Sequence, residues 1–497
     1  QYVKNYYLDQ EQTLTRKVRE FFIAIKLDRE QSKREILQGY LNTSYFGRNT
    51  YGIQAAAQAY YGVDAWDLSL AQGAYLASLL NAPSAYDVVA HPENRPRAVA
   101  RWNYVLDGMV KERWLSPAAR ARVEFPTPRP ARAQAGLSGQ RGYVVQAVKK
   151  YLTDQQVIGK RAHGYRITTT LRRRQQQVLS TAVEEQLLAR LDKRARPVDR
   201  TVRAGAAAID PATGKVVAMY GGVDYTKQFV NNATRRDYQV GSAFKPFVFA
   251  AAVQHGAVTQ TGEPINPNTM YDGTDRRAVQ GWGGPRYAPQ NEDNQSYGPI
   301  NVRTATDKSV NAVYAQMAVD VGPDRVKSTA IALGLPPGTH DMPDGPAIAL
   351  GTATASALDL AQAYATLAAH GRHLPYTLVE KITKDGRTID LPGREPRQAV
   401  SREAADTTTA VLQGVVEDGT GTAAQAAGRP AAGKTGTAEQ DMAAWFAGYT
   451  PDLATVVTVM GQDPRTGGHT PLYGALGEPR MNGGGCPARI WAQFTST

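Results

Sequence analysis

A segment with three prolines and no hydrophobic periodicity, FPTPRPARAQAGLSGQ at 125–140, interrupts the 497-residue chain. Proline has no backbone N–H to place in a helix or a sheet, so this segment predicts a boundary between domains. A chain of this length is expected to form about two to four domains, each with its own core. We therefore predict three regions, which are residues 1–130, 131–200 and 201–497.

The first region carries mostly helical patterns. Apolar residues recur at three- and four-residue spacing in KVREFFIAIKLD at 17–28, and Ser32 with Glu35 forms a capping box at the start of SKREILQGYLN. The chain opens at Gln1 inside such a pattern, with no capping residue. We therefore expect the start of this domain, and any signal or membrane anchor, to lie upstream of Gln1.

The third region mixes strands with helices. AAAIDPATGKVVAMYGG at 206–222 predicts a β-hairpin around a Pro-Ala-Thr-Gly turn, and helical patterns follow Ser242 and Asn311. Two further strands are predicted in AAWFAGYTP and ATVVTVMG, and a last helix in ARIWAQF. A strand pair, a helical middle and more strands are typical of an α+β domain.

Charge and cysteine content exclude several classes of protein. The net charge of +12 divides into +4 for residues 1–130, +10 for 131–200 and −2 for 201–497. No nucleic-acid recognition motif accompanies this charge, so we expect no nucleic-acid partner. The single Cys486 excludes a disulfide framework and a cysteine-rich zinc site. The longest apolar run, FVFAAAV, is far shorter than the ~20 residues of a membrane-spanning helix.

The first candidate for chemistry is the segment Ser242-Ala243-Phe244-Lys245. Gly241 permits a tight turn, and residues three apart share a helix face, so the Lys245 amine can reach the Ser242 hydroxyl. A serine hydroxyl needs an adjacent base to become a nucleophile, and a lysine serves when burial and a nearby cation lower its pKa. Taken alone, the motif is also explained by a capping serine beside a surface lysine.

Two further short motifs follow along the chain. Ser309-Val310-Asn311 opens a helical pattern and offers a hydroxyl relay and a carboxamide for a substrate amide, although a plain helix cap explains it equally. Lys434-Thr435-Gly436-Thr437 precedes a strand. Its lysine supplies a cation for a carboxylate, Gly436 lets a peptide backbone lie close, and a backbone N–H contributes to an oxyanion hole.

Competing interpretations of these and other segments are disfavoured. GRPAAGKT at 428–435 satisfies the phosphate-binding loop pattern of an ATPase, but Gly436 follows where a helix must begin. No G-x-S-x-G elbow surrounds Ser242, which opposes a Ser-His-Asp hydrolase. A metal role for His370 and His373 is disfavoured, and we predict no metal site in the third region.

The order of the three motifs, with Ser309 67 residues after Ser242 and Lys434 125 residues after Ser309, resembles the penicilloyl serine transferases. GSAFKPF, SVN, KTGTAE and WFAGYTP are similar to those of a penicillin-binding transpeptidase domain. DGTGTAA at 418–424 matches a loop of these domains, and we assign it no chemistry. The resemblance implies Ser242 as the acylated nucleophile, Lys245 as its proton acceptor and Ser309 as the relay to the leaving amine. It implies that Asn311 orients the substrate amide and that Lys434, with Thr435 or Thr437, binds the terminal carboxylate. The N–H groups of Ser242 and Thr437 would form the oxyanion hole.

The first region resembles the peptidoglycan glycosyltransferases of bifunctional class A penicillin-binding proteins, on RKVREFFIAIKLD, KREILQGYLNTSYFG and LAQGAYLASLLNAPSAYDV. The resemblance implies Glu20 as the second carboxylate, with Arg16 and Lys17 facing a pyrophosphate, although Glu20 and Arg16 also fit a surface pair. The general base motif E-D-x-x-F is expected upstream of Gln1, so glycosyl transfer is incomplete without that segment. A divalent cation for glycosyl transfer is left open, and transpeptidation is expected to need no cofactor.

The resemblance therefore implies a multidomain fold. It comprises a mainly α, lysozyme-like glycosyltransferase domain without its N-terminal part in 1–130, a basic α/β linker in 131–200, and an α+β transpeptidase domain with an antiparallel sheet flanked by helices in 201–497. The expected enzyme is anchored on the extracytoplasmic face of the bacterial cell membrane, polymerises lipid II and cross-links stem peptides of nascent peptidoglycan. It would be acylated by β-lactams.

The basic region and the alternative functions lead to further expectations. The charge of 131–200, including Arg172, Arg173 and Arg174, is expected to lie near anionic lipid headgroups, and cell-division or elongation proteins are candidate partners. The alternatives are a D,D-carboxypeptidase, a β-lactamase and a catalytically silent β-lactam-binding module. A β-lactamase needs a deacylating glutamate in an E-x-x-L-N context, which the glutamates between Asn311 and Lys434 lack.

Overall fold

The structure, a computed structural model, describes residues 32–48, 50, 52–83, 85–130, 137–158, 165–384 and 386–496. The chain divides into two compact units, Gln1–Ser138 and Gly139–Thr497. The boundary falls inside the proline-containing segment. The predicted site residues Arg16, Lys17 and Glu20 lie outside the described residues.

The described part of the first unit is helical, as predicted. Its helices are α1 (Lys33–Thr43), α2 (Ile53–Tyr61), α3 (Leu70–Leu79), α4 (Arg95–Lys111) and α5 (Pro117–Arg120). The capping box at the start of α1 is confirmed, because the Ser32 Oγ accepts from the Glu35 N–H and the Glu35 carboxylate accepts from the Ser32 N–H. Tyr60, Tyr75 and Trp102 are buried at the centre of this unit.

The second unit is built on a five-stranded antiparallel sheet. Its strands are β2 (Val202–Asp210), β3 (Lys215–Tyr220), β10 (Ala432–Thr437), β11 (Ala443–Thr450) and β12 (Leu453–Gly461). They lie in the order β10-β11-β12-β2-β3. The predicted hairpin is therefore confirmed as β2–β3, and the two late strands as β11 and β12. The remaining strands are β1 (Tyr165–Thr169), β4 (Met270–Asp272), β5 (Pro299–Asn301), β6 (Arg372–His373), β7 (Val379–Lys384), β8 (Arg387–Ile389) and β9 (Arg397–Gln398).

Helices cover both faces of this sheet. The helices of this unit are α6 (Gln140–Asp154), α7 (Arg173–Gln186), α8 (Lys245–Gln254), α9 (Val302–Asp307), α10 (Asn311–Val321), α11 (Pro323–Leu333), α12 (Ala357–Ala368), α13 (Arg402–Glu417) and α14 (Cys486–Thr495). Side chains alternate along a strand, so Trp445 and Phe446 of β11 enter different cores. The core around Trp445 includes α8 and α12, whereas Phe446 packs edge-on against Trp491 of α14. The α+β prediction is confirmed.

The described residues between positions 139 and 200 belong to the second unit and pack with it. β1 pairs with β7, and the Gln176 side chain on α7 donates to the Met219 carbonyl at 2.7 Å and accepts from the Met219 N–H at 3.0 Å. The predicted region 131–200 is therefore divided by the boundary between the units. Among the described residues, no helix combines the length and hydropathy needed to cross a bilayer.

Candidate active site

Ser242 lies on a tight turn, Gly241–Phe244, that leads directly into α8. Gly241 adopts a left-handed φ of 57°, and its N–H donates to the Gly351 carbonyl at 2.9 Å. A Cβ at Gly241 would overlap the Thr437 carbonyl, so only glycine permits the turn to lie this close to β10. The fold therefore holds Ser242 against the edge strand of the sheet.

The Lys245 amine is completely buried beneath Ser242. Its Nζ lies 2.9 Å from the Ser242 Oγ, 2.6 Å from the Ser309 carbonyl oxygen, 3.1 Å from the Ser309 Oγ and 2.7 Å from the Asn311 Oδ1. Burial, and next the positive charge of Lys434, hold the pKa of Lys245 well below its usual value, while Glu292 acts in the opposite direction. These contacts favour an uncharged amine in the site.

The hydrogen bonds around Lys245 leave its lone pair free to accept a proton. The Ser309 carbonyl and the Asn311 Oδ1 are pure acceptors, so they take the two N–H groups of a neutral amine. The orientation of the Asn311 amide is determined by its Nδ2, which donates to the Gln290 carbonyl at 2.7 Å. The lone pair of Lys245 is then available to the Ser242 hydroxyl.

Ser309 connects Lys245 to a second buried amine. Its backbone has a left-handed φ of 56°, unusual for a residue other than glycine, and its Oγ accepts from Lys434 Nζ at 2.9 Å. Burial lowers the pKa of Lys434 to about 7, against the opposing charges of Glu292 and Asp307. One hydroxyl therefore bridges two buried amines whose pKa values both lie below the usual value of a lysine.

The edge strand β10 carries Lys434 and lines the cleft with its other predicted residues. A Cβ at Gly436 would overlap the Val240 carbonyl, which explains the glycine there. Ala438 N–H donates to the Ala443 carbonyl of β11, and ladder bonds alternate along a strand pair, so the Thr437 N–H points to the opposite side, toward the Ser242 turn. The Thr435 side chain lines the same cleft.

The cleft has a volume of about 630 Å³ and contains charged residues that the motifs do not include. Arg480 donates to the buried carboxylate of Asp441 at 2.8 and 2.7 Å, and it also reaches Glu292 at 3.4 Å and Asp293 at 3.2 Å. These residues come from three distant segments, and no spacing in the sequence connects them. Glu292 is the residue whose absence from the sequence prediction matters most, because its charge acts on both lysines.

The structure contradicts the phosphate-loop interpretation and shows the surroundings of His370, His373 and Cys486. Lys434 and Thr435 lie within β10 and are followed by another strand, so the phosphate-loop interpretation is wrong. His370 is paired with Asp406 of α13, with 2.5 Å between Nδ1 and Oδ1, and His373 is buried beside Thr366. Cys486 is buried at the start of α14, and burial raises its pKa to about 12, consistent with an inert thiol.

Comparisons with known proteins agree with this architecture. Residues 204–472 match the model of the penicillin binding protein transpeptidase domain, and residues 1–110 match that of the transglycosylase family. Penicillin-binding protein 1A of Mycobacterium tuberculosis is 34% identical, over 99% of this chain and 60% of that protein. Penicillin-binding protein 1A of Mycolicibacterium smegmatis is 32% identical, over 99% of this chain and 62% of that protein. The chain thus spans about three fifths of the length of these relatives.

A solved structure of a penicillin-binding protein is also similar to this chain. That of PonA1 from Mycobacterium tuberculosis in complex with penicillin V superposes with a TM-score of 0.60 and 27% identity, over 72% of this chain and 93% of the other. The first family match covers more than half of the chain, and it contains Ser242, Ser309 and Lys434 in the arrangement described above. The chain therefore belongs to the penicillin-binding protein transpeptidase family, in the class A order in which a transglycosylase domain precedes the transpeptidase domain.

Proposed function

We propose that this protein is a peptidoglycan D,D-transpeptidase that works through an acyl-serine intermediate. The observation that carries the proposal is the 2.9 Å contact between the Ser242 Oγ and the fully buried Lys245 Nζ. Lys245 takes the hydroxyl proton while the Oγ attacks the carbonyl of the penultimate D-Ala of a stem peptide. The N–H groups of Ser242 and Thr437 stabilise the oxyanion that forms.

The second half of the reaction releases one amine and admits another. The tetrahedral intermediate collapses, the bond to the terminal D-Ala breaks, and the departing nitrogen receives the proton through the Ser309 hydroxyl, which contacts Lys245 and Lys434. An amine of a neighbouring stem peptide then attacks the ester and loses its proton to Lys245. The new amide is the cross-link, and Ser242 regains its proton.

The substrate binds to donor groups of the cleft that are not fully used by hydrogen bonds within the protein. Asn311 Nδ2 has two hydrogens and gives one to Gln290, so the other is available to the substrate amide. Lys434 in its charged form, with Thr435 and Thr437, binds the terminal carboxylate at the edge of β10. Because side chains and backbone supply the nucleophile, the base and the anion site, we propose that transpeptidation uses no cofactor.

The transglycosylase match supports a second activity for the whole protein. We propose that it polymerises lipid II, with Glu20, Arg16 and Lys17 in the roles given by the family resemblance. Whether this step uses a divalent cation is left open. We place the protein at the extracytoplasmic face of the membrane, with an anchor upstream of Gln1. The exposed Arg172, Arg173 and Arg174 are proposed to contact anionic lipid, and cell-division or elongation proteins remain proposed partners.

The test is covalent labelling of the chain with a fluorescent penicillin. The wild type is expected to be labelled, Ser242→Ala is expected to lose the label, and Ser328→Ala, which alters an exposed serine on α11, is expected to keep it. Equal labelling of wild type and Ser242→Ala would overturn the assignment. Incubation with a stem pentapeptide and an amine acceptor, followed by mass spectrometry, then separates cross-linking from D,D-carboxypeptidase activity, because only a transpeptidase forms the new amide.

A further inference from the structure

The loop between α13 and β10 contains Thr420, whose side chain reaches the strand that carries Lys434. The Thr420 Oγ1 lies 2.7 Å from the Thr435 Oγ1. The Thr420 N–H donates at 3.0 Å to the carbonyl of Asp307, two residues before Ser309. Thr420 thus connects the segment of Ser309 to β10 through one backbone bond and one side-chain bond.

The glycines on either side explain why this contact is so close. A Cβ at Gly419 would lie 2.7 Å from the Asp307 carbonyl oxygen, and one at Gly421 would lie 3.0 Å from the Phe446 ring. A Cβ at Gly484 would overlap the Thr420 carbonyl. The loop backbone is therefore enclosed by its neighbours, and the Thr420 hydroxyl is held at a defined position beside Thr435.

The direction of the bond between the two hydroxyls decides what Thr435 can offer to the cleft. A threonine hydroxyl has one hydrogen and two lone pairs. In its charged form, Lys434 Nζ, 3.4 Å from the Thr435 Oγ1, has no lone pair and can only donate to it. When Thr420 also donates, both lone pairs of Thr435 are used, and its hydrogen must point elsewhere, toward the cleft that Thr435 lines.

We propose that Thr420 is a positioning residue that makes the Thr435 hydroxyl a hydrogen-bond donor to the carboxylate of the substrate or of a β-lactam. The inference rests on the proposed function, because it requires a carboxylate at β10. Within the described part of the chain, Thr435 is the only hydrogen-bond partner of the Thr420 hydroxyl. Thr420 is therefore free to reverse its own hydrogen and donate when a carboxylate arrives.

The experiment measures the second-order rate of acylation of the full chain by a penicillin and by its methyl ester, which lacks the charge. Thr420→Val removes the hydroxyl and keeps the branched shape, and we expect it to slow acylation by the free acid by about tenfold. Its effect on the ester should be small. Thr420→Ser should restore the rate, and Thr422→Val, on the exposed neighbouring threonine, should leave it unchanged.

A double-mutant cycle separates positioning from structural support. In a Thr435→Val background there is no hydroxyl to orient, so Thr420→Val should have no further effect. Equal losses for the free acid and the ester, or an undiminished effect in the Thr435→Val background, would overturn the inference. If Thr420→Val does not fold, by thermal unfolding, the same comparison is made with Thr420→Ala.

The outcome is also separable from that of the proposed function. If penicillin labels neither the wild type nor Ser242→Ala, the proposed function fails. If the wild type is labelled and Thr420→Val reacts at the wild-type rate with the free acid, only the role of Thr420 is refuted.

Discussion

Lys245 and Lys434 are joined by a single hydroxyl, that of Ser309, which lies 3.1 Å from one buried Nζ and 2.9 Å from the other. Two ammonium groups this close repel each other, and burial adds a further cost to each charge. The arrangement therefore favours one proton shared between the two amines, with Lys245 neutral and Lys434 charged. This division suits a base on one side of the cleft and an anion site on the other.

We expect the rate of acylation by penicillin to pass through a maximum with pH. On the acid side, Lys245 gains a proton and no longer accepts one from Ser242. On the alkaline side, Lys434, whose pKa is about 7, loses the charge that we propose binds the carboxylate. The measurement is the second-order labelling rate between roughly pH 5 and pH 10, which reports the pKa values of the free enzyme.

Lys434→Arg provides the matched comparison for this profile. A guanidinium stays protonated throughout that range, so the alkaline fall should disappear even though the altered geometry reduces the maximum rate. An alkaline limb that is identical in both proteins would show that another group causes it.

Glu292 is expected to shift the whole pH profile. Its negative charge favours the protonated forms of Lys245 and Lys434, so Glu292→Gln should lower the pKa of both amines. Both limbs of the acylation profile should then move to lower pH. Glu439→Gln is the control, because Glu439 lines the same cleft but acts on Tyr287, whose pKa is raised by burial and next by that carboxylate. Equal shifts for the two variants would contradict a specific effect of Glu292.

Contacts between residues close in the sequence are the features of the site that the sequence predicts. Ser242 and Lys245 are three residues apart on one turn of backbone, so their contact follows from local geometry. The neighbourhood of Glu292 and Arg480 depends on the packing of loops 188 residues apart, and no periodicity encodes it. The left-handed backbone of Ser309 could not be predicted either, because only the surrounding contacts stabilise that conformation in a residue with a side chain.

In the fold, too, local features are predictable from the sequence and long-range packing is not. The β2–β3 hairpin has a turn sequence and two apolar runs, and both were recognisable. The position of β2 beside β12, more than 240 residues later, depends on which apolar faces meet in the core. The helices and strands of the site are thus predictable from the sequence, whereas the order of the strands in the sheet comes only from the structure.

Arg480 is expected to stabilise the turn that follows β10. Asp441 is 2% exposed, and Arg480→Gln would leave its carboxylate without its bidentate partner. We expect the free energy of unfolding to fall by about 1–3 kcal/mol, less than for a fully buried pair because the Arg480 side chain is 38% exposed. Urea unfolding measures this change. Asp441→Asn in the same background should recover part of it, and failure to recover any would contradict an unpaired carboxylate as the cause.

The contact between Gly436 and the Ser242 turn is expected to be essential for both stability and acylation. An alanine Cβ at this position would overlap the backbone carbonyl of Val240 and lie 3.0 Å from the Ala243 nitrogen, and neither atom can move without displacing the turn. We expect Gly436→Ala to cost about 1–3 kcal/mol of unfolding free energy, as overpacking does in a dense core. The rate of penicillin acylation should fall by more than the fraction of folded protein, because Ser242 moves relative to the Thr437 N–H.

The control for this last variant is Gly338→Ala, where a Cβ would meet no atom within 4 Å. That substitution should leave both the unfolding curve and the labelling rate close to the wild type. If Gly436→Ala destabilises the protein but its folded fraction is acylated at the wild-type rate, the close approach of β10 supports the fold alone. If the folded fraction of Gly436→Ala is also acylated more slowly than the wild type, the close approach of β10 to the turn is part of the oxyanion site.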